Sequence, residues 1–142
     1  MNTKKFAEKF IEAEDEATQK GNFEPLKALE DPNVVYHMST LGDLVGHEGH
    51  KQNLMDGRQA FSEIKMEWKY LTGEGKLFAL SLKERLISRG NVPGIPPAGK
   101  AALTDSLFLF RLKHGKIIEA WNNGSWKGVD MEAFLTFLKS KK

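Results

Sequence analysis

The feature that most restricts the fold is the run AALTDSLFLFRLKHGKIIEAWNN at residues 101–123, where two apolar strands lead into and out of His114-Gly115. Two residues between alternating runs mark a tight hairpin, because a two-residue turn with positive φ matches the twist of paired strands. With that turn Lys113 pairs with Lys116. Counting outward sets Leu112 against Ile117, Phe110 against Glu119, Phe108 against Trp121 and Ser106 against Asn123. One face is then aromatic with three polar groups, and the other carries Leu107, Leu109, Arg111, Ile118, Ala120 and Asn122. A bulge or a longer turn would exchange the faces, since one residue of slip inverts every side chain. Both faces need cover, yet the helices of so short a chain cover only one well. The reading is therefore a homodimer through the outer face of the sheet, with the inner face and the helices enclosing a pocket.

The remaining elements follow from periodicity. Phe6, Phe10, Ala13 and Ala17 recur at helical spacing, with Thr3 as a candidate cap and Gly21 past the end. Asn22 is placed to cap a short helix with Pro25 in its first turn, and residues 32–38 read as a strand ending near His37. Residues 46–60 read as a third helix weakened by Gly49 and Gly57. The period then changes to two: Ile64, Met66, Trp68 and Tyr70 alternate with Lys65, Glu67, Lys69 and Leu71. A turn at 72–75 leads to a strand at 76–88, and the Pro/Gly-rich segment 89–100 is a loop. Asp130 can cap a closing helix that carries Met131, Phe134, Leu135 and Leu138 on one face. Helices first, strands next and one helix last argue for a single α+β domain over residues 1–142.

Composition excludes several classes. There are no cysteines among the 142 residues, so disulfides and thiolate chemistry are absent, and a reducing, cytoplasmic setting suits the chain. No stretch approaches the roughly 18 apolar residues of a membrane span, and the N-terminus lacks the apolar run of a signal peptide. The 21 basic and 19 acidic residues are mixed rather than sorted, with no basic stripe that would suit nucleic acid. The basic tail KSKK reads as a solvated helix end.

The segments GIPPAGK at 94–100, the strand ending in FR at 110–111 and GKIIEAW at 115–121 resemble the SnoaL-like polyketide cyclase family. VVYH at 34–37, Gly46 before a helix and AFSEI at 60–64 agree with it. The resemblance implies a nuclear-transport-factor-like, cystatin-like fold with a strongly bent antiparallel sheet. About three N-terminal helices and a C-terminal helix would form a cone-shaped pocket with it. It also implies acid/base chemistry on a small hydrophobic carbonyl compound without metal or organic cofactor. Cyclases of the family place an aspartate shortly after the tryptophan of the last strand, where this chain has Asn122, Asn123 and Ser125. Amides do not exchange protons near neutral pH, so a non-catalytic ligand-binding or structural dimeric domain stands as the alternative.

The candidate catalytic groups are His37, an imidazole at the expected edge of the pocket, and Glu119, a carboxylate whose pKa burial would raise. Each has a structural reading too, as a satisfied histidine and an ion-pair partner. Trp68, Ser106, Phe108, Trp121 and Asn123 are the candidate substrate-binding residues, with plain core packing or a turn as their competing roles. Asp105 and Arg85 read as an ion pair or as solvated groups. His47 and His50 have a spacing that permits a metal, but solvated helix positions explain them better.

Overall fold

The computed structural model describes residues 2–141. Its elements run α1 (Thr3–Lys20), α2 (Glu24–Leu29), β1 (Glu30–Met38), β2 (Gly42–Val45), α3 (Gly46–Ala60), β3 (Phe61–Glu74), β4 (Leu77–Ser88), β5 (Ala101–Lys113), β6 (Lys116–Lys127) and α4 (Met131–Ser140). The six strands make one curved, unclosed sheet in the order β2-β1-β6-β5-β4-β3. Four of its five pairings are antiparallel, and β1 with β6 is parallel. That one departure from the antiparallel reading has a topological cause. No hairpin joins β1 to β6, so tertiary packing sets their relative direction. The short strand β2, which periodicity does not reveal, pairs with β1 at the sheet edge.

Helix α1 buries Phe6, Ala7, Phe10, Ala13 and Ala17, and Gly21 ends it in the left-handed region at φ 70°. Asn2, not Thr3, is its cap: the Asn2 side chain accepts from the Lys5 N–H, and Thr3 already lies in the helix with its hydroxyl against Tyr70. Asn22 accepts from the Glu24 N–H at the start of α2, and Asp130 caps α4 through the Ala133 N–H. Rings dominate the core on the helix-covered face. Phe110 is fully buried, with its centroid 4.8 Å from Phe10 and 4.7 Å from Phe78. Helix α4 buries only Phe134, and Lys141 ties its end to Asp56 of α3; Lys142, the last residue of the basic tail, lies outside the described residues. No helix among the described residues is long and apolar enough to cross a membrane.

The hairpin turn forms as expected, with His114 and Gly115 at φ 52° and 73°, and Lys113–Lys116 and Leu112–Ile117 pair as expected. The next pair corrects the expected register. Arg111 faces Glu119, so Ile118 is an extra residue in β6. Beyond this bulge Phe110 pairs with Ala120, Leu109 with Trp121, Phe108 with Asn122 and Leu107 with Asn123. Phe108 and Ser106 stay on the inner face, whereas Glu119, Trp121 and Asn123 share the outer face with Leu107, Leu109 and Arg111.

Candidate functional site

Alternation along the inner face brings one set of side chains together under α1 and α3. Strand β3 contributes Met66 and Trp68, β4 contributes Leu82 and Glu84, and β5 contributes Thr104, Ser106 and Phe108. Between them and the helices lies a cavity of about 130 Å³, walled by Trp68, Phe108, Met66 and Tyr36 and reached by Glu14, Thr18 and Glu84. A smaller lobe of about 50 Å³ adjoins it, with Thr104, Ser106 and Asn122 among its polar lining, and Glu84, Leu82 and Phe108 border both lobes. Of the residues singled out from the sequence, Trp68 and Phe108 line the main lobe and Ser106 the small one.

Glu84 stands in the inward row of β4 between Leu82 and Leu86, and it is the one charged group in that row. Its Oε1 accepts from the Thr104 hydroxyl at 3.0 Å. Burial pushes its carboxyl up to about 7, against the opposing hydrogen bond from Thr104 and with a further push from the nearby charge of Glu14. A carboxyl that is half ionised near neutral pH inside an aromatic cavity can both take and return a proton.

A second buried cluster braces the helix side of the same cavity. Glu30 accepts from His47 Nδ1 at 2.7 Å on one oxygen, and from His50 Nδ1 at 2.6 Å and the Tyr36 hydroxyl at 2.5 Å on the other. His50 Nε2 faces Glu14 Oε1 at 3.0 Å. Burial alone would lower the His50 pKa, but the charges of Glu30 and Glu14 outweigh it and raise the imidazole to about 10. Burial pushes Glu30 up, yet the His50 charge and the three donors hold it below its ordinary value; Tyr36 is pushed well up by burial and the two carboxylates. His47 and His50 are therefore buried side chains and not solvated ones, a correction to the sequence reading. Helix α3 offers few apolar groups, so it attaches to β1 and α1 through these charges. Both ring nitrogens of His50 are engaged, and no group of three or more potential metal ligands occurs among the described residues.

His37 and Glu119 come together, but on the outer face. In β1 the residues Val34 and Tyr36 point inward, which turns His37 away from the cavity. Its Nε2 meets Glu119 Oε2 at 2.6 Å, its Nδ1 meets Asp43 at 3.0 Å, and its ring stacks on Trp121 at 5.7 Å. Arg111 donates to the other Glu119 oxygen at 2.7 Å. Hydrogen bonds from Arg111 and His37 hold Glu119 below the usual carboxylate value, and those to Glu119 and Asp43 raise His37. The raised carboxylate expected at Glu119 is found at Glu84 instead, and Trp121 and Asn123 do not line the cavity. Among the described residues Asp105 and Arg85 make no ion pair; they share a broad, charged groove of about 440 Å³ on the outer face with Lys65, Lys83 and Lys127. That groove is wide and lined by solvated charges, so it lacks the apolar enclosure of a small-molecule site.

Sequence reasoning missed Glu84, Glu14 and Glu30, and read the buried His47 and His50 as solvated. One signal was present for Glu84: a lone carboxylate in the inward register of a strand whose other inward residues are Phe78, Leu80, Leu82, Leu86 and Ser88.

The class is an α+β protein with titratable side chains lining a cavity between helices and an open sheet. The family model for SnoaL-like polyketide cyclases matches residues 8–124, and the chain belongs to that family. Among solved structures, a proposed SnoaL-like polyketide cyclase from Jannaschia sp. CCS1 superposes with a TM-score of 0.72 at 19% identity, covering 96% of this chain and 93% of that one. IdmH from Streptomyces antibioticus, a proposed polyketide cyclase, gives 0.70 at 23% identity, covering 94% and 98%. An NTF2-like protein from Anabaena variabilis ATCC 29413 gives 0.71 at 15% identity, covering 90% and 92%. At these identities the likeness speaks for the fold. No curated protein matches the chain.

Proposed function

We propose that this protein binds a small apolar carbonyl compound in the inner cavity and moves a proton on it through Glu84, as a cyclase, isomerase, lyase or hydrolase whose proton transfers use one carboxyl. The observation that carries the proposal is the Glu84 carboxyl itself, held by Thr104 at the junction of two lobes with a pKa near neutrality. Asn122, on the inner face of β6, points toward the same small lobe but carries an amide. Proton transfer therefore falls to β4. As a base Glu84 must be ionised, so activity should rise through about pH 7. The test is α-proton exchange: a panel of small ketones is incubated with protein in heavy water and followed by proton NMR. Exchange should be catalysed by the wild type and His37→Ala and lost in Glu84→Gln; equal exchange by Glu84→Gln would refute the role.

A second reading, a non-catalytic ligand-binding dimer, is favoured by the amide at Asn122, and ligand binding without exchange of any compound would support it. Both readings share the homodimer. Leu107, Leu109 and Trp121 remain exposed side by side on the outer face, at 56%, 41% and 38%, an apolar strip of the kind a partner covers. We expect dimer by light scattering at micromolar concentration and monomer for Leu107→Asp/Leu109→Asp; a monomeric wild type would overturn the assignment.

A further inference from the structure

The walls of the inner cavity also specify the size and polarity of what they hold, if the ligand sits there as proposed above. Two buried polar atoms have no hydrogen-bond partner among the described residues, Trp68 Nε1 and Thr18 Oγ1, and both residues line this one cavity. An indole N–H can only donate. Buried donors in native proteins are almost always paired, so an orphan on a cavity-lining side chain points to a partner brought from outside. Thr18 is itself only 6% exposed and sits one helical turn after Glu14, on the wall opposite the strands. Trp68 pairs with Leu82 across β3 and β4, and Glu84 lies two residues further along the same face. Diagonal neighbours of this kind stand about 7 Å apart, so one small molecule can touch both.

The volume sets an upper size. A cavity of roughly 150 Å³ accommodates one benzene ring, and the main lobe here measures about 130 Å³ with a further 50 Å³ in the polar lobe. Two or three fused rings do not fit this space without moving Trp68, Phe108 or Tyr36. Phe108 and Tyr36 are 8% and 2% exposed, and Trp68 lies edge-on to Phe10 at 5.6 Å. The enclosing rings are thus held by the core, and opening the lobe would mean repacking it.

We infer that the cavity takes a neutral single-ring ketone, with its carbonyl oxygen accepting from the Trp68 indole N–H. The Thr18 hydroxyl, on the facing wall, suits a second oxygen on the same ring. Trp68 is then a specificity-determining residue: it separates a ketone from a hydrocarbon of equal shape, while the volume separates one ring from three.

The experiment uses three probes and the wild-type protein: acetophenone, its hydrocarbon isostere α-methylstyrene, and the tricyclic ketone 9-fluorenone. Binding is followed by titration calorimetry, and the Trp68 indole resonance by ¹⁵N-edited NMR. Acetophenone should bind roughly five- to tenfold more tightly than α-methylstyrene and move the Trp68 N–H downfield, and 9-fluorenone should not bind. In Trp68→Phe, checked for folding by its backbone spectrum, the two single-ring probes should bind equally. The inference is overturned if 9-fluorenone binds as well as acetophenone, if the ketone preference survives in Trp68→Phe, or if neither single-ring probe binds. Acetophenone bound without proton exchange would sink the acid/base role of Glu84 and leave the recognition by Trp68 standing.

Discussion

His50 makes a quantitative prediction about alkaline pH. Its imidazole is buried between Glu30 and Glu14, and its pKa is raised from 6.5 to about 10. A basic group raised on folding contributes stability that is complete below its unfolded pKa and is lost as pH climbs to its folded one. The window is therefore pH 6.5 to about 10, and within it the folded protein holds one more proton than the unfolded chain. One proton corresponds to about 1.4 kcal/mol per pH unit, so unfolding free energy should fall by about 2 kcal/mol between pH 7.5 and 9.0. Glu84, raised to about 7, exerts its linkage at lower pH, and Tyr36, raised above 10.0, acts at higher pH. The assay is urea unfolding at the two pH values for wild type and His50→Gln. The variant should be about 3–5 kcal/mol less stable at pH 7.5, because two buried carboxylates lose the cation between them. It should also lose the alkaline slope. His37 is present in both proteins, so the difference between their slopes isolates His50. Equal slopes in wild type and variant would refute the assignment of a charged histidine to this site.

Other consequences concern packing and register. Phe110→Ala should cost about 3–5 kcal/mol in urea unfolding, because the ring is fully buried among Phe10, Phe78 and Phe108; a loss under about 1 kcal/mol would mean the core is loose there. Deleting Ile118 removes the extra residue of the bulge and leaves Glu119 opposite Arg111, so the faces of β6 beyond it should not change. NMR contacts between the Leu109 and Trp121 strands should persist in that deletion, and their replacement by a Phe110–Trp121 pairing would contradict the register. Lys141→Ala should shift stability by no more than about 0.5 kcal/mol, since its pair with Asp56 is near the surface; a larger loss in thermal unfolding would show that α4 depends on that contact.

Much of the architecture was legible because local pattern and final burial agree. The two-residue alternation from Ile64 to Tyr70 puts those four residues on the inner face of β3, and the helical spacing of Phe6, Phe10, Ala13 and Ala17 is the buried stripe of α1. Helix α3 covers residues 46–60 as read, although its two glycines argue against it, because its attachment rests on charged hydrogen bonds that propensity does not measure. The site was much less legible. His37 and Glu119 do meet, but on the face opposite the cavity, and Glu84 was unmarked by any motif.

What the sequence alone determined, then, is the kind and order of the elements other than β2, the turn at His114-Gly115 and the family, all of which depend on near neighbours along the chain. Tertiary structure decided which face each residue of β6 presents, since the extra residue Ile118 reverses the expected alternation after Ile117. It also decided which carboxylate is buried near neutrality. Burial and neighbouring charge, the two causes of the shift at Glu84, come from α1, β3 and β5, elements brought to it only by folding.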